Sequence, residues 1–201
     1  CELKDGGIKS YSISPEDFGL PRAGLDSLRG GSVDENASLL RGILAFARGA
    51  DTAMVPTDVA AVAQDALQIV KQLIGCEIEV EFNGAKGLPA IFADANQFHQ
   101  ILLNLCVNSR DAMPNGGALS VGVSRVRLDG VELAKIGPDA RAGDFLALAV
   151  RDTGTGIAPE VRPRLFDPFF TTKPPDVGTG LGLATVLRLV RGHEGFIGVE
   201  S

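Results

Sequence analysis

Along this chain the spacing of hydrophobic positions changes several times, and each change marks an element. From Val59, apolar residues recur at Val62, Ala63, Ala66, Leu67, Val70 and Leu73, the spacing of a helix that buries one face. Thr57 or Asp58 is placed to cap it. The stretch Cys76–Phe82, CEIEVEF, then alternates strictly and predicts a half-buried strand. Leu88–Asp94, LPAIFAD, predicts a second, short strand. ANQFHQILLNLCVNSRDAM predicts a helix with Leu102, Leu105 and Val107 as apolar content, closed by the turn PNGG. Two more strands, ALSVGVSRVRL and DFLALAV, flank Asp129–Gly143, which is expected to be an irregular exposed loop. ATVLRLVRG reads as a further helix, and FIGVES as a closing strand.

The first 44 residues have a different character. CELKDGGIKSYSIS alternates around Asp5-Gly6-Gly7, a hairpin signal. SPEDFGLPRAGLDSLRGGSVDEN is rich in Pro, Gly and Asp and reads as loop, and ASLLRGILAFARG as a helix capped by Asp34 or Asn36.

Composition narrows the classes. Of the 201 residues 45% are hydrophobic and 22% charged, as in a soluble globular chain. The formal net charge of −6 argues against a nucleic-acid partner, which calls for a basic stripe. No apolar run approaches the roughly 20 residues of a membrane span, and no signal peptide is visible. Cys1, Cys76 and Cys106 lack metal-type spacing and read as reduced thiols in a cytoplasmic setting. A first residue other than Met leads us to expect a fragment or a processed chain.

The chemistry concentrates between Arg151 and Leu183, RDTGTGIAPEVRPRLFDPFFTTKPPDVGTGLGL. Asp152 ends a strand directly before Gly154 and Gly156, where a carboxylate can accept from an exocyclic amine and the glycines leave room for a ring. The spacing is not the dinucleotide fingerprint, because Pro159 stands at the third glycine position, and the ending of a P-loop is missing. Read alone, it is equally a glycine turn between a strand and a helix. FDPFFTTK offers Phe166, Phe169 and Phe170 as anchors, Thr171 and Thr172 as hydroxyls, and Lys173 as a point charge for a terminal phosphate. PPDVGTG reads as a flexible lid. Gly178-Thr179-Gly180-Leu181-Gly182-Leu183 then opens a helix whose first N–H groups are available to phosphate. Upstream, Asn104 and Asn108 stand four apart and so share one helix face. Such a pair also arises from ordinary helix–helix hydrogen bonding.

Together, NLCVNSRDAM, DTGTGI, FDPFFTTK and GTGLGL resemble the ATP-binding catalytic domain of sensor histidine kinases, of the nitrogen-regulation type, within the gyrase–Hsp90–histidine kinase–MutL superfamily. The likeness runs over residues 45–201. It implies a two-layer α/β sandwich, a mixed sheet covered by helices, preceded by a loop-rich appendage. By position it makes Asn104, Asn108 and Lys173 catalytic, with Asn108 the Mg²⁺ ligand and Asn104 supporting the phosphate or metal shell. Asp152 would read the adenine amine, and Gly154, Gly156 and Ile157 would shape the base pocket. Arg110, Asp111, Phe169, Thr171, Thr172, Gly178, Thr179, Gly180, Leu181, Gly182 and Leu183 would complete the ATP contacts. The implied reaction is transfer of the ATP γ-phosphoryl group to a histidine. The implied partners are ATP, a histidine-bearing dimerisation domain and a response regulator. ATP-hydrolysing members place a glutamate general base where this chain has Asn104, which cannot take a proton, so transfer is favoured over hydrolysis.

Residues 1–44 instead resemble a late segment of anthranilate phosphoribosyltransferase, through PEDFGL and GG…ENA…RGIL, without that family's diphosphate loop or acidic metal pair. An inert appendage is expected there, without affinity for phosphoribosyl diphosphate or anthranilate. Neither His99 nor His193 has the context of a phosphoacceptor, so no autophosphorylation of this chain is expected. The family continues past FIGVES into a final strand that is expected to be lacking here. The alternative is a non-catalytic ATP-binding module or an inactive fusion fragment.

Overall fold

The computed structural model describes residues 54–75, 77–130, 133, 136, 140–174 and 178–201. The expectations for residues 1–53, and for Cys76, lie outside the described residues.

Val55–Thr57 (β1) leads into Val59–Ile74 (α1), whose cap is Asp58: its carboxylate accepts from the Ala60 and Ala61 amides at 3.0 and 3.1 Å. The buried stripe is Val59, Ala63, Ala66, Leu67, Val70 and Ile74. It differs from the expected stripe at its end, where Leu73 is 53% exposed. Ile74 continues the i, i+4 row from Val70 and faces the sheet, whereas Leu73 has rotated past it.

Ile78–Gly84 (β2) and Ile91–Ala93 (β3) follow, and Ala95–Asp111 (α2) is capped by Asp94, which accepts from the Asn96 amide at 2.8 Å. Gly117–Leu128 (β4) and Gly143–Asp152 (β5) complete the main sheet, and Gly182–Gly192 (α3) closes the helical layer. The sheet is mixed, with order β2-β4-β5: β2 runs parallel to β4, and β4 antiparallel to β5. β1 and β3 form a separate antiparallel pair. The fold is the expected α/β arrangement, a mixed sheet packed against helices α1, α2 and α3.

β4 is central, and its inward residues Leu119, Val121 and Val123 are fully buried. They meet the α1 stripe together with Leu102 and Cys106 of α2 in one core. Each large side chain so buried contributes about 1.5–3 kcal/mol. Ile101, one position round from Leu102, packs instead on Val186 and Leu189 of α3. α2 therefore stands between α1 and α3, and that placement brings its amide face beside the start of α3.

Two expectations are corrected. FIGVES forms no strand: its apolar residues permit one, but a strand exists only where a neighbouring backbone completes its ladder. Phe196 instead sets its ring edge against Phe145 on β5, centroids 5.4 Å apart. Within the segment read as a loop, Gly130, Leu133 and Ile136 are helical, and Leu133 and Ile136, three apart, are both half-buried. No helix among the described residues is long and apolar enough to cross a membrane.

Candidate functional site

The last turns of α2 organise the site from three sides. Asn104 and Asn108 face the start of α3: a Cβ added at Gly182 would stand 3.8 Å from both Asn104 Oδ1 and Asn108 Nδ2. A side chain there would fill the space in front of the two amides. The helix start itself has no side-chain cap at Leu181, so its first N–H groups are not taken by a capping side chain. Leu181 is buried at 3% exposure, so its side chain belongs to the core and only its backbone faces the loop. Its amide donates to Thr179 Oγ1 at 3.4 Å.

At the tip of α2 the charges cluster. Lys173 Nζ reaches Asp111 Oδ2 at 2.6 Å and donates to Asn108 Oδ1 at 3.2 Å. Arg110 donates through Nε and Nη2 to the other oxygen, Asp111 Oδ1, at 2.9 and 2.7 Å. Burial alone would raise the Asp111 carboxyl, but hydrogen bonds and charge from Lys173 and Arg110 outweigh it and hold the carboxyl below its ordinary value. Beside this cluster lies a cleft of 480 Å³ that includes Ile74, Ile78, Met113 and Lys173.

The lid residues are tied at two points. Phe169 N donates to Gly180 O at 2.9 Å, and both residues have positive φ, 66° and 65°. A Cβ at Gly180 would lie 2.3 Å from the Phe169 carbonyl carbon, so only glycine fits that crossing. Below it, Thr171 Oγ1 accepts from the Lys173 amide at 3.1 Å, and Gly178 packs on the same hydroxyl. Arg164 lies over the Phe170 ring at 4.3 Å, and Phe166, Phe169 and Phe170 are half-buried. Thr172 is exposed and Leu183 half-buried. Pro175, Asp176 and Val177 of the expected lid fall outside the described residues.

At the far end of β5, Asp152 accepts from two donors. The Ser109 hydroxyl donates to Oδ2 at 2.8 Å, and the Gly154 amide to Oδ1 at 3.0 Å. The following loop is stitched to α2, since the Thr155 amide donates to Ala112 O at 3.0 Å. A Cβ at Gly154 would come within 2.7 Å of Ala112, so that approach needs glycine. Gly156 and Ile157 lie apart from these contacts, beside Ser201, whose hydroxyl accepts from the Ile157 amide at 2.7 Å.

Sequence reasoning missed Ser109, buried at 5% exposure. The available signal was its position: one residue past Asn108 is about 100° round the helix, turned from the amide face toward the sheet. The two histidines are structural. His193 accepts from the Asp94 amide through Nε2 at 3.2 Å, while its Nδ1 lies 2.8 Å from Leu189 O. His99 Nδ1 lies 2.9 Å from Ala95 O. Burial pushes the Cys106 thiol up to about 11, so it is no nucleophile.

The family model of the histidine kinase-, DNA gyrase B- and HSP90-like ATPases matches residues 93–201, more than half of the chain. The chain belongs to that family. A second model, the a/b domain of a glycosyl transferase family, matches residues 1–77, in keeping with the phosphoribosyltransferase-like opening. That match reaches over β1 and α1, and the buried stripe of α1 packs in the core with β4 and α2. Similar curated proteins are the sensor kinase CckA of Brucella abortus (strain 2308) and the sensory histidine kinase/phosphatase NtrB of Rhizobium meliloti (strain 1021). CckA is 37% identical over 171 residues, which is 85% of this chain and 18% of that protein. NtrB is 30% identical over 190 residues, 94% of this chain and 48% of that protein. The chain therefore spans less than half the length of these relatives. Among solved structures, full-length ShkA in complex with AMPPNP matches with a TM-score of 0.62 and 28% identity, over 95% of this chain and 37% of that one. The mycobacterial sensor histidine kinase MprB matches at 0.53 and 27%, over 70% of this chain and 80% of that one. The fold is the histidine kinase-type ATPase fold.

Proposed function

We propose that this chain binds ATP with Mg²⁺ and transfers the γ-phosphoryl group to a histidine on a dimerisation domain, from which a response regulator would take it. What supports this most is convergence: Gly182 opens opposite both Asn104 and Asn108, and Lys173 Nζ meets Asn108 at 3.2 Å. The likeness to sensor histidine kinases points the same way, as does that to ShkA, solved with AMPPNP.

The residues suit the metal. Among the described residues no group of three or more His, Cys, Asp or Glu could hold an ion. Mg²⁺ needs no such cage: it keeps waters and binds through one or two protein oxygens plus substrate phosphates. Asn108 Oδ1 is such an oxygen, and it already faces a cation, the Lys173 ammonium. When bound, the ion would neutralise charge on the phosphates.

Each residue then has a task. Asp152 accepts from the adenine amine, Lys173 and Arg110 offer positive charge to the phosphates, and the start of α3 offers N–H groups. Asn104 orients without taking a proton, which favours transfer to an already nucleophilic imidazole over activation of water. His99 is about 13 Å along α2 from Asn108, and both histidines are engaged structurally, so we assign the acceptor to a histidine other than these two.

The test supplies γ-labelled ATP, Mg²⁺ and a separate histidine-bearing dimerisation domain. Acid-labile label on the added domain, with none on this chain, is expected. ATP binding without transfer would instead leave a nucleotide-binding module.

A further inference from the structure

We infer that Ser109 is the positioning residue that sets the site's preference for a purine carrying a 6-amino group, by fixing the Asp152 carboxylate. This rests on the assignment of Asp152 as the base-reading group. Asp152 itself is exposed at the end of β5, where a carboxylate is free to rotate and hydrate. Two donors remove that freedom. The Gly154 amide takes Oδ1 at 3.0 Å from within the same loop, and the Ser109 hydroxyl takes Oδ2 at 2.8 Å from α2. Only the serine bond ties the carboxylate to a different element.

Ser109 is well placed for this. It is buried at 5% exposure and lies on the helix whose Ala112 carbonyl accepts from the Thr155 amide at 3.0 Å. Thr153 Oγ1 also donates to Met113 Sδ at 3.7 Å, so Ser109 on α2 and the two residues that follow the helix hold the loop at three places. Each carboxylate oxygen has two acceptor sites, so the two donors leave one on each for an incoming amine. An acceptor-only group held in this way attracts the 6-amino group of adenine. It is mismatched to a 6-oxo purine, which presents another acceptor, and indifferent to a purine with hydrogen at that position. The cost of leaving such a buried or oriented polar group unpaired is what gives hydrogen-bonding sites their discrimination.

The experiment is calorimetric titration of the 201-residue chain with ATP and with purine riboside triphosphate, which lacks the amine. For the unsubstituted chain ATP is expected to bind more tightly. Ser109→Ala is expected to weaken ATP by about tenfold, as for one lost charge-assisted hydrogen bond, and to leave purine riboside triphosphate unchanged. Ser109→Cys keeps the volume but offers only a weak donor. It should lose the same discrimination, which separates the hydrogen bond from packing. Equal losses for both nucleotides, or undiminished discrimination in either variant, would overturn the positioning role while leaving Asp152 as the base reader. If the unsubstituted chain binds both nucleotides equally, the base-reading assignment of Asp152 itself fails.

Discussion

The two ends of the proposed nucleotide site are built on opposite principles. At the base end, Asp152 is held by neutral donors, the Ser109 hydroxyl and the Gly154 amide, against a helix end that does not need to move. At the phosphate end, Lys173 and Arg110 are both engaged by Asp111, and Lys173 also occupies the Asn108 oxygen. The base end is preorganised, so its interactions are available to a ligand as they stand. The cations of the phosphate end are partly compensated by Asp111, and under this proposal a triphosphate with Mg²⁺ would have to exchange those partners. In the proposed site, recognition of the base and engagement of the phosphates would thereby be separated along one helix, with Ser109 bonded to Asp152, and Asn108 and Asp111 to Lys173.

The most severe way to break this contrast is Gly180→Ala. Left-handed strain and a Cβ 2.3 Å from the Phe169 carbonyl carbon act together, at about 3 kcal/mol. Urea denaturation should show that loss. In whatever fraction remains folded, the phosphate end should fail while a nucleoside without phosphates still binds.

Asp152→Asn attacks the base end alone. ATP affinity should fall by roughly 1.5–3 kcal/mol, the range for hydrogen bonds to charged groups, with Mg²⁺ dependence unaltered. Unchanged affinity in calorimetry would place the adenine elsewhere.

Asn108→Ala separates the ends from the other side. Binding in the presence of Mg²⁺ should weaken by at least about tenfold, the scale for a lost supporting contact to a metal, and binding without Mg²⁺ far less. Titrations with and without the ion measure this, and equal losses would count against a metal role.

The smallest effect concerns Asp111. Its folded-state value is lowered below 3.8, so its contribution to stability is present above that pH and is lost as the pH falls through the folded value. The unfolding free energy of Asp111→Asn should therefore lie below that of the unsubstituted chain near neutrality, by about 1 kcal/mol or less. The two curves should converge below pH 3.8. A constant offset down to strong acid would mean that the carboxylate is not the group holding Lys173 and Arg110.

Much of this molecule was legible along the chain because its signals are local. Helix spacing, strict alternation, the Asp58 cap and the glycine clusters each act over a few residues, so α1, α2, β2 and β4 follow from nearest-neighbour physics. The same holds for the shared face of Asn104 and Asn108, since an i, i+4 pair is set by the helix itself. Only the tertiary structure decided the rest, because the partners stand far apart in sequence. Lys173 meets Asp111 across 62 positions, and Ser109 meets Asp152 across 43. Nothing near either residue foretells such contacts. FIGVES shows the limit from the other side: its apolar residues allow a strand, but the ladder needs a neighbouring backbone that no local pattern can supply. Residue type and spacing determined what chemistry this chain carries. Packing of α2 between α1 and α3 decided which of those residues touch.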